Sequence, residues 1–384
     1  MADRPRLCLI EPSLAHAEVL FPLIELLRGD YDVHVIAPDP LLDIDLLSST
    51  RHLYTAWPLE RDYIATPWRG LAGLVGKYRA ISRMVHEIDP EFVLFNSTYR
   101  RFERGLIAAL LWRFPKGQVI HEFDQFLKFG GHWLYDRFDV NLVISEQVFG
   151  YLRTHHPKFT NLDYVLPIYF KDFLDATGYR QSSLDGGGSL VKVGVFGSIQ
   201  EWRRNYRGLL DGVWMTLADG SEPRFQVYLV GKAPPWLEEE VRQHRSGAVV
   251  QTYLEYVPFR QMFDVLAEVD LVLFLIDASV GNFDQYNRYK ISGTSTLAKA
   301  FGKAVACSTE FTVDEMLADR CFYYEGADLK SLLTLINEGK LTAGDIEDKV
   351  LSSAGSAVPT FDDQRDHLVS LVARAVEDHS PRHR

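Results

Sequence analysis

Cysteine is scarce in this chain. Only Cys8, Cys307 and Cys321 occur among 384 residues, far apart and never in a CxxC pair. A disulfide framework needs several cysteines, and a structural zinc site needs close pairs of ligands. The sequence therefore predicts neither.

Long apolar runs are absent too. The longest, near 106–112 and 271–276, are far shorter than the ~20 residues that cross a bilayer. The apolar run at 7–10 is too brief for the core of a signal peptide and ends at Glu11. We therefore expect a soluble cytoplasmic protein, with contact at the inner face of the membrane left open.

Basic charge is in deficit. The formal net charge is -11, and acidic residues outnumber basic ones in both halves. Nucleic-acid binding requires a positive field, so that class is excluded. The best local basic patch is Arg100, Arg101 and Arg104, which indicates either a solvated helix face or a docking point for a phosphate-bearing acceptor or anionic lipid.

The common nucleotide motifs are missing as well. The first strand-to-helix turn reads EPSLAH at 11–16 and the second half opens with GVFGS at 194–198, so neither supplies the GxGxxG of dinucleotide-binding enzymes. No GxxxxGK[ST] loop occurs, and the DxD triplets at 30–32 and 43–45 lie in the first half, outside the predicted donor loops. The sequence thus gives no support for NAD, for a P-loop triphosphatase, or for a bound metal or other cofactor.

What the chain does contain is apolar mass for two cores. Its length favours two domains, and 47% hydrophobic with 24% charged residues is typical of globular proteins. Short β-rich runs alternate with amphipathic stretches on both sides of a Gly/Ser-rich segment at 181–189. This pattern predicts an α/β fold of two Rossmann-like, doubly wound domains facing a cleft: 1–180 for the acceptor, 190–360 for the donor, and a helix in 361–384 that returns to the first.

The segment Lys290-Ile-Ser292-Gly293-Thr294-Ser295 is the most informative part of the second half. Small hydroxyl residues and a glycine open a predicted helix, whose first N–H groups suit an anion, and the lysine adds positive charge. The alternative is an ordinary Ser/Thr helix cap. We interpret the segment as a phosphate-binding site.

Two further strand ends of the second half carry glycine and basic residues. Gly197-Ser198 is followed by Arg203 and Arg204, and Gly231 by Lys232. In parallel sheets, ligands bind beyond the carboxyl ends of the strands. These residues are therefore predicted to bind the same diphosphate, although an arginine pair also suits a solvated surface.

Candidate acid and base residues lie in the first half. Glu11 and His16 follow the first strand, whereas His121 and Asp124 follow a later one. A histidine or carboxylate there could deprotonate an acceptor hydroxyl. The alternative for each is a hydrogen-bonded loop residue or a helix cap.

The second half resembles the donor domain of GT-B fold glycosyltransferases, most nearly family 4. The likeness lies in KVGVFGS with Arg203-Arg204-Asn205, in FQVYLVGK, in DLVLFLI and in LAKAFGKAVACS, in the family's order. It implies a nucleoside diphosphate sugar as donor substrate. The position of His16 is similar to that of the base in inverting family 1 enzymes, and His121 to a histidine lining the family 4 sugar site.

The paired glutamates of family 4 are missing, because Tyr289 and Leu297 occupy the corresponding positions. The stereochemical outcome therefore stays open. The resemblance implies a hexosyltransferase of polysaccharide biosynthesis, acting on a glycan, lipid-linked or small-molecule acceptor. No metal need bridge the diphosphate if arginine, lysine and a helix N-terminus do so. Two alternatives remain: a nucleotide-sugar epimerase of the same fold, and a catalytically silent sugar-nucleotide-binding subunit.

Overall fold

The computed structural model describes residues 4–60, 70–98, 100–123, 134–177, 190–243, 249–253, 255–353 and 359–382. The chain divides into two compact units. Unit 1 comprises Met1–Gly178 and Pro359–Arg384, and unit 2 comprises Tyr179–Val358. The predicted α/β class is confirmed in both.

Unit 1 is built on a parallel sheet in the order β3-β2-β1-β4-β5-β6-β7. The strand order reverses between β1 and β4, which opens the carboxyl ends of these two strands to a ligand. Its strands are β1 (Arg6–Ile10), β2 (Asp32–Pro38), β3 (Thr55–Leu59), β4 (Phe92–Phe95), β5 (Lys116–Ile120), β6 (Val140–Val143) and β7 (Leu162–Tyr164).

Helices cover both faces of this sheet, because parallel strands need crossover connections. The second and third helices in the chain are single turns, and a 3-10 turn follows at Arg51–Leu53. The helices are α1 (Ala17–Leu27), α2 (Asp39–Leu42), α3 (Asp45–Ser48), α4 (Gly70–Ile88), α5 (Arg101–Leu110), α6 (Glu146–His155) and α7 (Lys171–Thr177). Tyr78, Ile81 and Val85 of α4 pack with Ile107 of α5 on one face of the sheet.

Unit 2 repeats the plan with the strand order β10-β9-β8-β11-β12-β13, again parallel. The order reverses between β8 and β11. Its strands are β8 (Val191–Phe196), β9 (Phe225–Lys232), β10 (Val250–Tyr253), β11 (Leu271–Leu273), β12 (Ala304–Ser308) and β13 (Cys321–Tyr324). Its helices are α8 (Tyr206–Thr216), α9 (Pro235–Gln243), α10 (Phe259–Glu268), α11 (Phe283–Tyr286), α12 (Gly293–Ala300), α13 (Glu315–Ala318), α14 (Leu329–Asn337) and α15 (Ala343–Ser352).

The last helix, α16 (Phe361–Arg382), packs in unit 1 against α1 and β6. Gln364 Oε1 accepts a hydrogen bond from Leu166 N at 3.1 Å, and Tyr169 OH donates one to the Pro359 carbonyl at 2.8 Å. His367 Nε2 lies 3.0 Å from Asp163 Oδ1. Within the described ranges, no helix is long and apolar enough to cross a membrane.

Replacing His367 with glutamine is expected to destabilise unit 1 most between about pH 4 and pH 6.5. The bond to Asp163 raises the pKa of His367, and although burial opposes the change, that bond lowers the pKa of Asp163. The histidine contribution is lost as pH rises through its folded pKa, and the aspartate contribution as pH falls through its own. Urea unfolding at several pH values measures the difference; a constant difference contradicts the ion pair, and the exposed His52→Gln is the control.

Several elements differ from those that the sequence predicts. The apolar run at 271–276 forms a strand only as far as Leu273, and Leu275 has a positive φ of 55°. The Leu275 carbonyl accepts from Asn205 N at 2.9 Å instead of extending the ladder. Strands β3, β7 and β13 were not predicted, because they are short and lie at sheet edges, where burial leaves little periodicity.

Candidate functional site

In unit 2, Gly197, which follows β8, contacts Gly231 near the end of β9. Gly197 has a φ of 101°, a conformation that favours glycine. A Cβ added to Gly231 would lie 2.1 Å from the Gly197 carbonyl oxygen. Both positions therefore require glycine, and the backbone of the two strands is held together at the carboxyl edge of the sheet.

Arg204 ties this glycine turn to the start of α12. Its Nη2 donates to Thr294 Oγ1 at 2.6 Å and to Ser292 Oγ at 3.3 Å. Its Nη1 reaches the Ser198 carbonyl at 3.5 Å. The guanidinium is buried, with Arg204 only 8% exposed. The structure thus brings together four of the residues predicted to bind the donor.

The start of α12 differs in detail from the predicted phosphate-binding site with free hydroxyl groups. Ser292, Thr294 and Ser295 are all buried. Thr294 Oγ1 accepts from Arg204 and donates to the Phe196 carbonyl at 2.8 Å, so it fastens α12 to β8. Gly293 has open space around its Cα. The first N–H groups of a helix have no acceptor within it, which leaves the backbone at Gly293 suited to an anion.

The remaining basic candidates are Lys290, Arg203 and Lys232. Lys290 is half-buried, with its Nζ 5.5 Å from the centre of the Tyr286 ring. The Arg203 guanidinium lies 5.2 Å from the ring of Trp202, which is exposed. Lys232, the last residue of β9, is exposed.

A second link joins the loops after β8 and β11. Asn205 Oδ1 caps α8 by accepting from Gly208 N at 2.8 Å, and its Nδ2 donates to Asp277 Oδ2 at 2.9 Å. Asp277 also accepts from Ser279 N at 2.9 Å. Asp277 is 1% exposed, and its partners satisfy the buried carboxylate. Asp277 lies at a strand end in the sequence, but the sequence alone assigned it no role.

In unit 1, His16 occupies the N-cap of α1 with a φ of 63°, in the left-handed region. Such a conformation is uncommon for a residue with a side chain and often marks a functional site. The His16 carbonyl accepts from Asn96 Nδ2 at 3.0 Å, which joins the loop after β1 to the loop after β4. Its Nδ1 lies 3.3 Å from Glu18 Oε1. A carboxylate only accepts, so Nδ1 carries the hydrogen in this contact.

His121 stacks on His16, with ring centres 3.8 Å apart and an angle of 20° between the planes. His121 Nε2 lies 2.7 Å from the Asn96 carbonyl oxygen and therefore donates to it. Burial, together with the charge of His16, lowers the pKa of His121 to about 3. The stacked pair thus holds one neutral ring.

The pKa of His16 moves the other way. Burial alone would lower it, but the hydrogen bond and charge of Glu18, with the charges of Glu11 and Glu122, raise the pKa of His16 above its ordinary value. The same bond lowers the pKa of Glu18 against the effect of burial. His16 and Glu18 therefore form a histidine–carboxylate dyad beside a neutral histidine.

Glu11 lies beneath this pair and is fully buried. Its Oε1 accepts from Ser97 Oγ at 2.6 Å and from Ser13 N at 2.8 Å, and its Oε2 accepts from Asn96 Nδ2 at 2.8 Å. Burial raises the pKa of Glu11 against these bonds. The carboxyl group therefore connects the loops after β1 and β4.

Lys77 of α4 reaches the same loop, donating from Nζ to the Pro12 carbonyl. Its half-buried position lowers the pKa of Lys77, although the charges of Glu103 and Glu11 oppose the change. The loop that carries His16 is thus held from both sides, by a lysine and by a buried carboxyl group.

Among the predicted acid and base residues, the structure brings Glu11, His16 and His121 together, whereas Asp124 lies outside the described residues. Sequence reasoning missed Glu18, Asn96 and Ser97. The carboxylate two residues after His16 and the polar pair ending β4 were available signals.

The basic patch predicted around Arg100, Arg101 and Arg104 is wrong in one member. Arg104 is 2% exposed and donates from Nη2 to the Thr98 carbonyl at 2.7 Å. Burial lowers the pKa of Arg104 to about 10. It stabilises the loop after β4 and is not on the surface.

Comparison with known proteins identifies the fold. No protein-family model and no curated protein sequence matches the chain. Among solved structures, a glycosyltransferase from Rickettsia africae ESF-5 is 9% identical, with 97% of this chain and 99% of that chain covered at a TM-score of 0.62. The UDP-GlcNAc 2-epimerase of Neisseria meningitidis, bound to UDP-GlcNAc, is 11% identical over 96% of this chain and 100% of that chain, at a TM-score of 0.62.

A third structure, sucrose-phosphate synthase from Thermosynechococcus elongatus, is 13% identical and covers 98% of both chains at a TM-score of 0.53. These matches extend over nearly the whole chain and include both parallel sheets. With its two doubly wound units, this chain has the two-domain, Rossmann-like GT-B fold.

Proposed function

We propose that the chain binds a nucleoside diphosphate sugar on unit 2 and transfers its sugar to an acceptor hydroxyl. The observation that carries the proposal is the Gly197–Gly231 contact with Arg204 bridging to Ser292 and Thr294. At the carboxyl edge of the sheet, the two glycines let a ligand approach the backbone closely, and Arg204 fixes the N-terminus of α12. That arrangement suits a diphosphate.

Arg204 then acts as a positioning residue, since its hydrogen bonds go to protein atoms. The direct charge comes from residues with more access, Lys290, Arg203 and Lys232. Cationic side chains and helix N–H groups would stabilise the negative charge that grows on the departing diphosphate. The donor site needs no metal in this scheme; across the described residues, no group of His, Cys, Asp or Glu side chains is arranged to hold one.

His16 is the proposed general base in unit 1. Its Nε2 takes the proton of the acceptor hydroxyl, the acceptor oxygen forms a bond to the anomeric carbon, and the bond from that carbon to the phosphate oxygen breaks. The electron pair leaves with the nucleoside diphosphate. Glu18 orients the ring and stabilises the imidazolium, while Glu11 and His121 hold the loop in place.

An epimerase is the second candidate, because a solved structure of that activity matches 96% of this chain. The same dyad could remove a proton from a sugar carbon. A sugar-nucleotide-binding subunit without catalytic activity is the third candidate.

The acceptor of a transferase would be a hydroxyl of a glycan, of a lipid-linked molecule or of a small molecule. The protein would work in the cytoplasm, at the inner face of the membrane if the acceptor is lipid-linked.

Calorimetric titration with UDP, GDP, ADP and dTDP tests the donor site. We expect saturable binding of at least one. Lys290→Ala should weaken it about tenfold or more, because a charge-assisted contact to phosphate is lost. The control is Lys340→Ala, an exposed lysine beyond the end of α14. Absence of binding, or equal affinities of the two variants, contradicts the proposed site.

Turnover separates the candidates. Incubation with sugar derivatives of the bound nucleotide, with and without a glycan panel, should release nucleoside diphosphate only when a glycan is present. A changed sugar without any acceptor, seen by NMR, assigns an epimerase. Binding without turnover in either case assigns the silent subunit.

A further inference from the structure

Helix α5 buries two of its charged residues and leaves apolar residues on its outer side. Glu103 and Arg104 are 9% and 2% exposed, whereas Phe102 is 43% exposed. Ala109 is exposed, and Leu106 and Leu110 are half-buried. A helix on the surface of a sheet normally shows a polar outer face.

The burial of Glu103 and Arg104 has a structural cause. Glu103 accepts from Arg100 N at 3.0 Å, and Arg104 holds the loop after β4 through Thr98. Ile107 and Leu111 fill the core beside them. Leu106 and Leu110 are half-buried and pack partly against this core, so the outer stripe consists of Phe102, Gly105 and Ala109, extended beyond the helix by Trp112 with 52% exposure.

Arginines lie at both ends of this stripe. Arg100 is exposed and Arg101 is half-buried at the start of α5, and Arg113 lies with its guanidinium 5.7 Å from the Trp112 ring at the other end. Arg79 and Arg83 of the neighbouring α4 are exposed as well. This concentration of positive charge contrasts with the net charge of -11.

We infer that the α5 face, defined as Phe102, Leu106, Ala109, Leu110 and Trp112 with Arg100, Arg101 and Arg113, docks on an anionic lipid bilayer. The stripe from Phe102 to Trp112 is about 15 Å long at 1.5 Å per residue, which suits a helix lying in the membrane plane. Phenylalanine and tryptophan enter the boundary between headgroups and acyl chains, and the arginines bind lipid phosphates.

A second copy of the chain fits the face less well. Because arginines stand at both ends, any two-fold pairing of the stripe brings arginine against arginine, whether the helices run parallel or antiparallel. Like charges placed opposite each other destabilise an interface. An anionic surface instead neutralises both ends at once.

Co-sedimentation of the full chain with vesicles tests the inference. We expect binding to phosphatidylcholine mixed with phosphatidylglycerol, at least about tenfold weaker binding to phosphatidylcholine alone, and loss of binding in high salt. Ala109→Glu places a carboxylate in the middle of the stripe and should weaken binding at least about tenfold. Leu351→Glu, at a 64% exposed position on α15 in unit 2, is the matched control and should bind normally.

A double replacement, Arg100→Ala with Arg113→Ala, should reduce the preference for the anionic vesicles. Circular dichroism and nucleotide titration of each variant check that unit 1 is folded and that the donor site is intact, so failure here is distinct from failure of the proposed function. No sedimentation, equal binding to both vesicles, or an unaffected Ala109→Glu overturns the inference. So does a dimer in light scattering that Ala109→Glu dissociates, since it assigns the face to a second copy.

Discussion

Replacing His16 with glutamine is expected to lower kcat by about 10²–10⁴-fold, the range that a positioned general base contributes. Glutamine keeps a polar side chain of similar reach but cannot take a proton. The measurement is release of nucleoside diphosphate in the presence of acceptor, at saturating donor. Nucleotide affinity should stay within about twofold, because the predicted diphosphate contacts lie on unit 2.

The control is His155→Gln, which changes an exposed histidine of α6 that lies 2.9 Å from the Tyr151 carbonyl. It should leave kcat unchanged. A His16→Gln enzyme with full activity would remove His16 from the chemistry and return the role to Asp124 or another acid. Loss of nucleotide binding together with kcat would instead point to a folding defect.

The pH dependence follows from the same dyad. The base must be neutral, and the pKa of His16 is raised by Glu18 and the other carboxylates against the effect of burial. The acid limb of kcat/KM should therefore lie above the ordinary histidine value of about 6.5. Glu18→Gln removes the negative charge and leaves only a neutral amide oxygen as acceptor, so the pKa of His16 falls and the limb moves to lower pH. An unmoved limb rules out the dyad.

Much of the architecture could be predicted from the sequence, since buried parallel strands read as short apolar runs between amphipathic stretches. Local features at strand ends were also visible: Gly197 and Gly231 mark the turns, and His16 and His121 follow β1 and β5. These depend on spacing along the chain. The edge strands β3, β7 and β13 carried weaker patterns and were missed.

What could not be predicted is how side chains choose among partners. Arg204 and Arg203 are adjacent and identical in the sequence, yet one is buried in a network with Ser292 and Thr294 while the other lies against Trp202. Arg104 likewise looked like a surface residue until its contact with Thr98 was known. Such choices depend on contacts between residues distant in sequence, which periodicity does not encode.

The glycine contact of unit 2 gives the other large expected effect. A Cβ at position 231 would lie 2.1 Å from the Gly197 carbonyl oxygen and 3.0 Å from its carbon, both backbone atoms that cannot rotate away. Gly231→Ala should therefore force β8 and β9 apart at their carboxyl ends. We expect unit 2 to lose about 3 kcal/mol of stability, the upper part of the usual range for overpacking.

Hydrogen exchange of the β8 and β9 amides during urea titration reports on unit 2 separately from unit 1, which matters because two units need not unfold together. Gly293→Ala is the matched control, since no atom lies within 4 Å of a Cβ there. The Gly293→Ala control should keep its stability. It should lose nucleotide affinity only if the ligand approaches the backbone at position 293 closely. If the β8 and β9 amides of Gly231→Ala are protected as well as those of the unchanged protein, the Gly197 turn can shift at little energetic cost. The donor proposal depends on a rigid backbone at this turn, so that result would contradict it.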